Sequence, residues 1–253
     1  MALRFNESGE DSMNSKLLRK FPIFQILKSH LDNQNIRDRW VRYQLAALRT
    51  GALLLDAGSG SQRYRSDCSQ LLYHAQDFGQ YRSETKETLV ANQYEKLPEY
   101  TYGELDYVSN IWEIPEKDSF FDVILCTEVF EHIPFPIQTL HEFSRLLKSG
   151  GKLILTAPSN CLRHQDPYYF YSGFSDRWYE YILPSTGFEI QSIEPVGDYY
   201  SWMSVEIMRT IQSHKIMSAI LLFPAFMYYL LKKKNHKSIN TLCMGYHVLA
   251  IKK

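Results

Sequence analysis

Short apolar runs alternate with longer amphipathic or polar segments along most of this 253-residue chain. Seven runs have the length and apolar character of strands: 52–57, 71–76, 105–109, 121–126, 151–157, 188–194 and 244–251. The connections between the first five are long enough for crossovers, which indicates parallel pairing. The run from Phe121 to Cys126 is almost continuously apolar, as expected for a strand buried on both faces. The pattern therefore predicts an α/β fold with a mostly parallel sheet.

Apolar residues also recur at helical spacing in several segments. Two sets predict a pair of helices before the sheet: Leu17, Leu18 and Phe21, and then Trp40, Val41, Leu45 and Leu48. A further helix is predicted around 136–148, with Lys148 in its last turn and Ser-Gly-Gly at 149–151 as its stop.

The chain is predicted to form one domain after a polar, disordered tail at residues 1–15. The expected parts of this domain, 16–253, are N-terminal helices at 16–50, a cofactor-binding core at 51–195, a helical hydrophobic insertion at 196–243 and a last strand at 244–253.

One stretch near the C-terminus is unusually hydrophobic. Residues 216–231 are apolar at 14 of 16 positions, counting tyrosine, and three lysines follow at 232–234. A helix of this length spans about 24 Å, short of a hydrocarbon core of about 30 Å. Packing between the sixth and seventh strands, a lid, a dimer contact and peripheral contact with a membrane through 216–234 all remain open.

Composition bears on the expected binding partners of the protein and on its cellular compartment. Lys plus Arg and Asp plus Glu both total 28, so no net charge favours a nucleic-acid partner, and none is expected. The four cysteines are widely spaced without a CxxC pair, so neither a disulfide framework nor a metal site is expected. The chain begins without the apolar core of a signal peptide, and Ala2 stands where a myristoylated chain has glycine, so we expect a cytoplasmic protein.

A glycine-rich turn carries most of the chemical information. The strand-like run 53–57 leads into Gly58 and Gly60, and a second acidic residue, Asp77, follows Asp56 by 21 positions. A dinucleotide site usually has a third glycine, where this chain has Arg63. S-adenosylmethionine (SAM) has no phosphate, but its ribose hydroxyls and its cationic groups suit carboxylate partners. The pattern therefore favours SAM over a dinucleotide.

Five segments in order then resemble the class I SAM-dependent methyltransferases, over roughly residues 52–195. They are Leu54–Gly60, Asp77, Asp106–Pro115, Glu128–Ile133 and Arg145–Pro158. The resemblance implies a Rossmann-like, seven-stranded methyltransferase sheet, mostly parallel with an antiparallel last strand and with helices on both faces. It also implies SAM as cofactor, contacted by Asp56, Gly58, Gly60, Asp77, Asn110, Ile111, Trp112 and Glu128. Asn110 stands where the family usually has an acidic residue, and its amide oxygen can still accept a hydrogen bond from the adenine amine.

Two histidines are candidates for catalysis. His132 follows the fourth predicted strand, and His164 lies in an aromatic-rich loop after the fifth. The loop resembles the acceptor side of methyltransferases associated with sugar, glycan or small-molecule O-methylation. We therefore expect methyl transfer to a hydroxyl of a small-molecule or glycan acceptor, because an imidazole with a pKa near neutrality suits removal of a hydroxyl proton. The alternatives are a catalytically silent binding protein of this fold and an NAD-dependent oxidoreductase.

Overall fold

The computed structural model of the chain describes residues 33–81, 101–213 and 216–253, without the side chains of 212–219. The predicted tail at 1–15 and the first predicted helical set, at 17–21, lie outside the described residues. The described chain divides into two compact units. Of the described residues, one unit contains 39–81, 101–195 and 245–253, and the other contains 33–38, 196–213 and 216–244.

Seven strands form one sheet in the first unit, and each corresponds to a predicted run. They are β1 (Leu53–Ala57), β2 (Leu72–Asp77), β3 (Tyr107–Val108), β4 (Phe121–Thr127), β5 (Leu147–Pro158), β6 (Phe188–Val196) and β7 (Gly245–Lys252). Their spatial order is β3-β2-β1-β4-β5-β7-β6. The pairs β1–β2, β1–β4, β2–β3 and β4–β5 are parallel, and β7 runs antiparallel to β5. The predicted Rossmann-like sheet is confirmed.

Side chains of the central strands alternate between two cores, because successive residues of a strand point to opposite faces of a sheet. In β1, Leu55 belongs to one buried cluster and Leu54 to the other. Helices α2 (Pro136–Leu146) and α3 (Asp176–Ser185) contribute to the first cluster. Helix α1 (Asn33–Ala46) contributes Val41 and Leu45 to the second. Helices therefore cover both faces, as predicted.

Helix α2 ends earlier than its sequence pattern predicts. Its last residue is Leu146, and Lys148 lies in β5 and not in the last helical turn. The reason is tertiary, because Leu147 pairs with Phe121 on β4 and the Lys148 ammonium lies 2.9 Å from the Asp122 carboxylate. Gly150 then adopts a positive φ of 77° where the pairing register shifts.

The second unit contains three helices among its described residues: α4 (Tyr199–Ser213), α5 (Ile216–Leu230) and α6 (His236–Thr241). Its small core includes Val205, Ile207, Phe226 and Leu230. The buried Asp198 accepts hydrogen bonds from Ser201 Oγ at 2.7 Å and from Ser238 Oγ at 2.6 Å, and so ties α4 to α6. Among the described residues, none of the helices is both long and apolar enough to cross a membrane.

Candidate active site

The glycine turn follows β1 and is bound to the end of β2. Gly58 and Gly60 have φ angles of 73° and 50°. A residue with a Cβ atom would be strained in this conformation. The N–H groups of Gly58 and Ser59 both donate to the Gln76 carbonyl at 2.9 Å. A Cβ added at Gly58 would lie 2.5 Å from Val129 Cγ2. Glycine is therefore needed here both for the turn and for the close approach of the loop after β4.

Asp77 meets this turn, as the sequence predicts. It is the last residue of β2, and it is 6% exposed. Its Oδ2 accepts the Gly60 N–H at 3.0 Å, and its Oδ1 accepts the Gly79 N–H at 3.2 Å. Burial raises the pKa of Asp77, while these backbone hydrogen bonds act in the opposite direction. The carboxylate is thus held against the backbone at the edge where the parallel strands end.

Asp56 lies beneath the same turn and is paired with a residue that the sequence did not single out. Its Oδ2 accepts a hydrogen bond of 2.6 Å from the Tyr73 hydroxyl. Asp56 is 3% exposed, and burial raises its pKa to about 7; the Asp77 charge adds to this rise, and the Tyr73 bond opposes it. A cation near these two carboxyl groups would favour their ionised forms.

The predicted adenine-side segment lies next to β3. Asn110 is exposed, and its backbone carbonyl accepts the Glu113 N–H at 3.1 Å. Ile111 is buried in the core, and Trp112 is half-buried and packs edge-on to Phe135 with ring centroids 5.2 Å apart. Trp112 therefore has a packing role whether or not it also contacts a ligand.

The end of β4 carries the third group of predicted site residues. Glu128 has a φ of 54°, which is unusual for a residue other than glycine. Its Oε1 accepts a hydrogen bond of 3.0 Å from Thr156 Oγ1, and its N–H donates to the Thr156 carbonyl at 2.9 Å. Strand β5 thus fixes the direction of this carboxylate. A 3-10 turn, Phe130–His132, follows.

His132 and His164 are brought together although 32 positions separate them in the sequence. Their rings meet edge to face with centroids 4.7 Å apart. His132 Nδ1 lies 2.6 Å from the Tyr168 carbonyl, and His164 Nδ1 lies 2.7 Å from the Leu162 carbonyl. Since a carbonyl only accepts, both Nδ1 atoms carry hydrogen, and the lone pair of each neutral ring is on Nε2. Burial lowers the pKa of His132 to about 4, and His164 contributes in the same direction.

The aromatic residues of the loop after β5 divide into two groups. Phe174 and Trp178 pack with Phe130 and close the core. Tyr168 and Tyr169 lie near the histidines. The Tyr168 ring packs edge-on to Phe78, which follows Asp77, at 4.8 Å, and the Tyr169 ring centroid lies 5.8 Å from that of His164. The prediction that this loop lines the acceptor site therefore applies to Tyr168 and Tyr169.

A family model described as a methyltransferase domain matches residues 55–155. The matched segment is 101 of the 253 residues. The match includes most of β1, the glycine turn, Asp77 and most of β5, and these elements carry the site described above. The match agrees with the predicted class, a SAM-dependent methyltransferase with SAM as its cofactor.

Curated relatives match only in part. The chain is 39% identical over 59 residues to an uncharacterised protein of Methanocaldococcus jannaschii, covering 23% of this chain and 26% of that protein. It is 44% identical over 41 residues to a ubiquinone biosynthesis O-methyltransferase of Xanthomonas oryzae pv. oryzae, covering 16% and 17%. The matched parts thus span about a quarter or less of these relatives.

Solved structures match over more of the chain. The structure of a geranyl diphosphate methyltransferase in complex with SAM has a TM-score of 0.54 with 11% identity, covering 97% of this chain and 93% of that chain. At this identity the likeness shows the fold.

Buried polar groups of the matched segment fit a polar ligand such as SAM. Ser59 Oγ in the glycine turn and Ser109 Oγ before Asn110 are buried and lack a hydrogen-bond partner among the residues that the structure describes. The Ser109 carbonyl accepts from Gln76 Nε2 at 2.7 Å, so both serines belong to segments bound to the end of β2. Together with the Asp77 carboxylate they offer partners for hydroxyl and amine groups.

Sequence reasoning missed three residues that shape this site. Tyr73 donates to Asp56, Val129 packs on Gly58, and Glu131 is 1% exposed beside His132. The position of Glu131 directly before a candidate catalytic histidine was a usable signal. The contacts of Tyr73 and Val129 depend on neighbouring strands, so no local pattern indicates them.

Proposed function

We propose that the methyltransferase domain binds SAM at the glycine turn and transfers its methyl group to a hydroxyl of a small-molecule or glycan acceptor. The observation that carries this proposal is the hydrogen bond between Asp77 and Gly60, which joins the ribose-binding candidate to the turn. The two histidines lie at the carboxyl ends of β4 and β5, the same edge of the sheet at which β1 and β2 end. In open parallel sheets this edge is where ligands bind.

The residues proposed to hold SAM have distinct tasks. The bare backbone from Gly58 to Gly60 lets the ligand approach, and Asp77 accepts hydrogen bonds from the ribose hydroxyls. Asn110, Ile111 and Trp112 form the adenine side. Asp56 and Glu128 place carboxyl groups where they favour a cationic ligand.

SAM, when bound, supplies a methyl group on a sulfonium; an acceptor oxygen takes that carbon, and the sulfur keeps the bonding electron pair as a neutral thioether. The protein has to orient the acceptor and to provide a path for its hydroxyl proton. His132 and His164 present Nε2 lone pairs for this purpose, and Tyr168 and Tyr169 offer aromatic faces for a sugar or another ring. The O-methyltransferase of Xanthomonas oryzae among the partial relatives supports an oxygen acceptor.

The test combines binding and turnover. Calorimetry with S-adenosylhomocysteine measures the cofactor site, and a screen of saccharides, phenols and lipid-linked glycans with labelled SAM measures transfer. Binding together with label on an acceptor hydroxyl is the expected result. Binding without transfer to any acceptor in cell extract would favour the silent binding protein, and tighter binding of NAD would favour the oxidoreductase.

We also propose that the second unit contacts a membrane surface, because it exposes a patch suited to lipid. The patch comprises five apolar side chains on or just after α5: Ile220, Leu221, Phe223, Tyr228 and Leu231. Leu221 is 70% exposed and Leu231 is 72% exposed. The exposed lysines at 232–234 follow directly and complement anionic headgroups. This proposal describes a cytoplasmic protein that binds the membrane peripherally. Such binding would suit a lipid-linked acceptor.

A further inference from the structure

Three side chains with metal-ligating atoms converge at the carboxyl ends of β4 and β5. Glu131, His132 and His164 each offer one ligand atom, and these atoms lie within 4.8 Å of one another. Bonds from a divalent metal to such ligands are about 2.1 Å long, so side-chain movements of about an ångström or less would close the three atoms on one ion.

The two histidines are oriented as metal ligands usually are. Each has its Nδ1 against a backbone carbonyl, at 2.6 Å for His132 and 2.7 Å for His164. A metal-binding histidine almost always donates its other ring N–H in this way, since the bond fixes the ring and its tautomer. Both Nε2 lone pairs are therefore directed away from the backbone and can bind an ion.

Glu131 lies beside His132 at a separation that suits two ligands of one ion. Its Oε1 lies 3.7 Å from His132 Nε2, and both atoms are acceptors. The Glu131 side chain is 2% exposed, and a buried carboxylate is stabilised by a cation.

The backbone holds the cluster in place before any ion binds. The Glu131 carbonyl accepts the N–H groups of Phe170 and Tyr171 at 2.9 and 3.2 Å. These bonds fasten the loop that carries His164 to the 3-10 turn that carries Glu131 and His132. The three ligands are thus preorganised although they come from two loops.

We propose that Glu131, His132 and His164 bind a divalent first-row transition metal ion such as Zn²⁺. Two imidazoles and one carboxylate suit such ions, and three protein ligands leave at least one position open. This site was not predicted from the sequence, because paired cysteines were sought there as metal ligands and none were found.

The role of the ion rests on the proposed function. At the open position it would bind the acceptor hydroxyl and lower its pKa, so that the proton passes to water and the oxygen reacts as an alkoxide or phenolate. The ion would then take over the activation of the hydroxyl that the proposed function gives to the two histidines, and their Nε2 lone pairs would bind the ion.

Metal binding can be measured without any acceptor. The full chain is stripped with chelator and titrated with Zn²⁺ by calorimetry, and Co²⁺ is added to record its ligand-field absorption. We expect one ion per chain and a spectrum of low-coordinate Co²⁺. His164→Ala and Glu131→Gln should each weaken the binding at least tenfold, as expected for loss of a ligand, whereas His141→Ala on the exposed side of α2 should not.

Binding of S-adenosylhomocysteine checks the fold of each variant and also separates the two proposals. If wild type and the His132→Ala/His164→Ala double variant take up Zn²⁺ equally, or if neither takes it up, the metal site is rejected. A chain that binds Zn²⁺ through these residues but does not bind S-adenosylhomocysteine keeps the metal site and rejects the proposed function. If an active chain loses no turnover on chelation, the catalytic role of the ion is rejected.

Discussion

The Asp77 carboxylate accepts a hydrogen bond of 3.0 Å from the Gly60 N–H, across 17 positions of sequence. Parallel pairing of β1 with β2 places Ala57 beside Gln76, so the residues that follow the two strands must meet. The acidic residue therefore has a structural partner in the turn in addition to its proposed role with ribose. Substitutions at Asp77 have to separate these two roles.

Asp77→Ala is expected to weaken S-adenosylhomocysteine binding by about tenfold or more, since a charge-assisted hydrogen bond contributes about 1.5–3 kcal/mol. Asp77→Asn keeps an acceptor for Gly60 and should weaken binding while retaining the stability of the fold. Calorimetry measures both affinities. Asp118→Ala, at a side chain 76% exposed, is the control and should bind normally. An unchanged dissociation constant for Asp77→Ala would remove this residue from the site.

Gly58→Ala should destabilise the fold more than Gly150→Ala does. Both positions have a similar positive φ, 73° and 77°, so both variants carry the same backbone strain of about 1 kcal/mol. Only at Gly58 does the new Cβ meet another residue, Val129, whereas at Gly150 nothing lies within 4 Å. Overpacking of this kind adds about 1–3 kcal/mol.

Urea unfolding gives the free energy of unfolding of both variants and of Gly58→Ala/Val129→Ala, and so measures the cost of the contact between the new Cβ and Val129. The double variant should lose less stability than the sum of its two single variants, because truncation of Val129 makes room for the new methyl group. Equal losses for Gly58→Ala and Gly150→Ala would show that Val129 does not press on the turn.

Asp56 should make stability depend on pH. In the fold its pKa is raised to about 7 from an ordinary value of 3.8, so between these values the folded chain binds more protons than the unfolded chain. The free energy of unfolding should therefore fall as pH rises from about 4 to 7. Asp56→Asn cannot ionise, and it should gain stability relative to wild type over that range, by a few kcal/mol at most.

Denaturant unfolding at pH 4.5 and pH 8 tests this difference. Asp118→Asn, at an exposed carboxylate, provides the comparison and should follow wild type. A gap between Asp56→Asn and wild type that stays constant with pH would mean that Asp56 is ionised in the fold at both values.

His132→Ala should lower the rate of methyl transfer by about a hundredfold or more, as loss of a group acting on the acceptor proton does. Its affinity for S-adenosylhomocysteine should change by no more than about twofold, since the imidazole is proposed to act on the acceptor and not on the cofactor. Initial rates with labelled SAM measure the first quantity. His141→Ala is the matched control, and full turnover of His132→Ala would move catalysis to another residue.

The exposed patch on α5 should bind anionic vesicles. Flotation with phosphatidylglycerol vesicles should recover wild type, and Leu221→Glu/Phe223→Glu should stay in the soluble fraction. Alanine at all three lysines, 232–234, should weaken the binding by about 1 kcal/mol for each lysine removed. Tyr181→Glu, at a residue 77% exposed on α3, controls for charge alone. If wild type floats no better than the Leu221→Glu/Phe223→Glu variant, the membrane proposal is rejected, and a protein partner becomes the better explanation of the exposed patch.

Strands β1 and β4 could be predicted because burial on both faces requires an almost continuous apolar run in the sequence. The turn at Gly58 and Gly60 was equally visible, since few other residues adopt its φ angles. The end of α2 was not, because pairing of Leu147 with Phe121 decided it. Local helix signals at Lys148 were overruled by a strand partner 26 positions away.

The amino-acid sequence by itself determined the α/β architecture, the glycine turn and the acidic residue that follows it, because each depends on neighbours in the chain. Only the tertiary structure decided that Tyr73 bonds to Asp56, that Val129 rests on Gly58, and that His164 reaches Glu131 and His132. These contacts join separate strands and loops, and a contact of that kind follows from pairing order and register, which no single segment encodes.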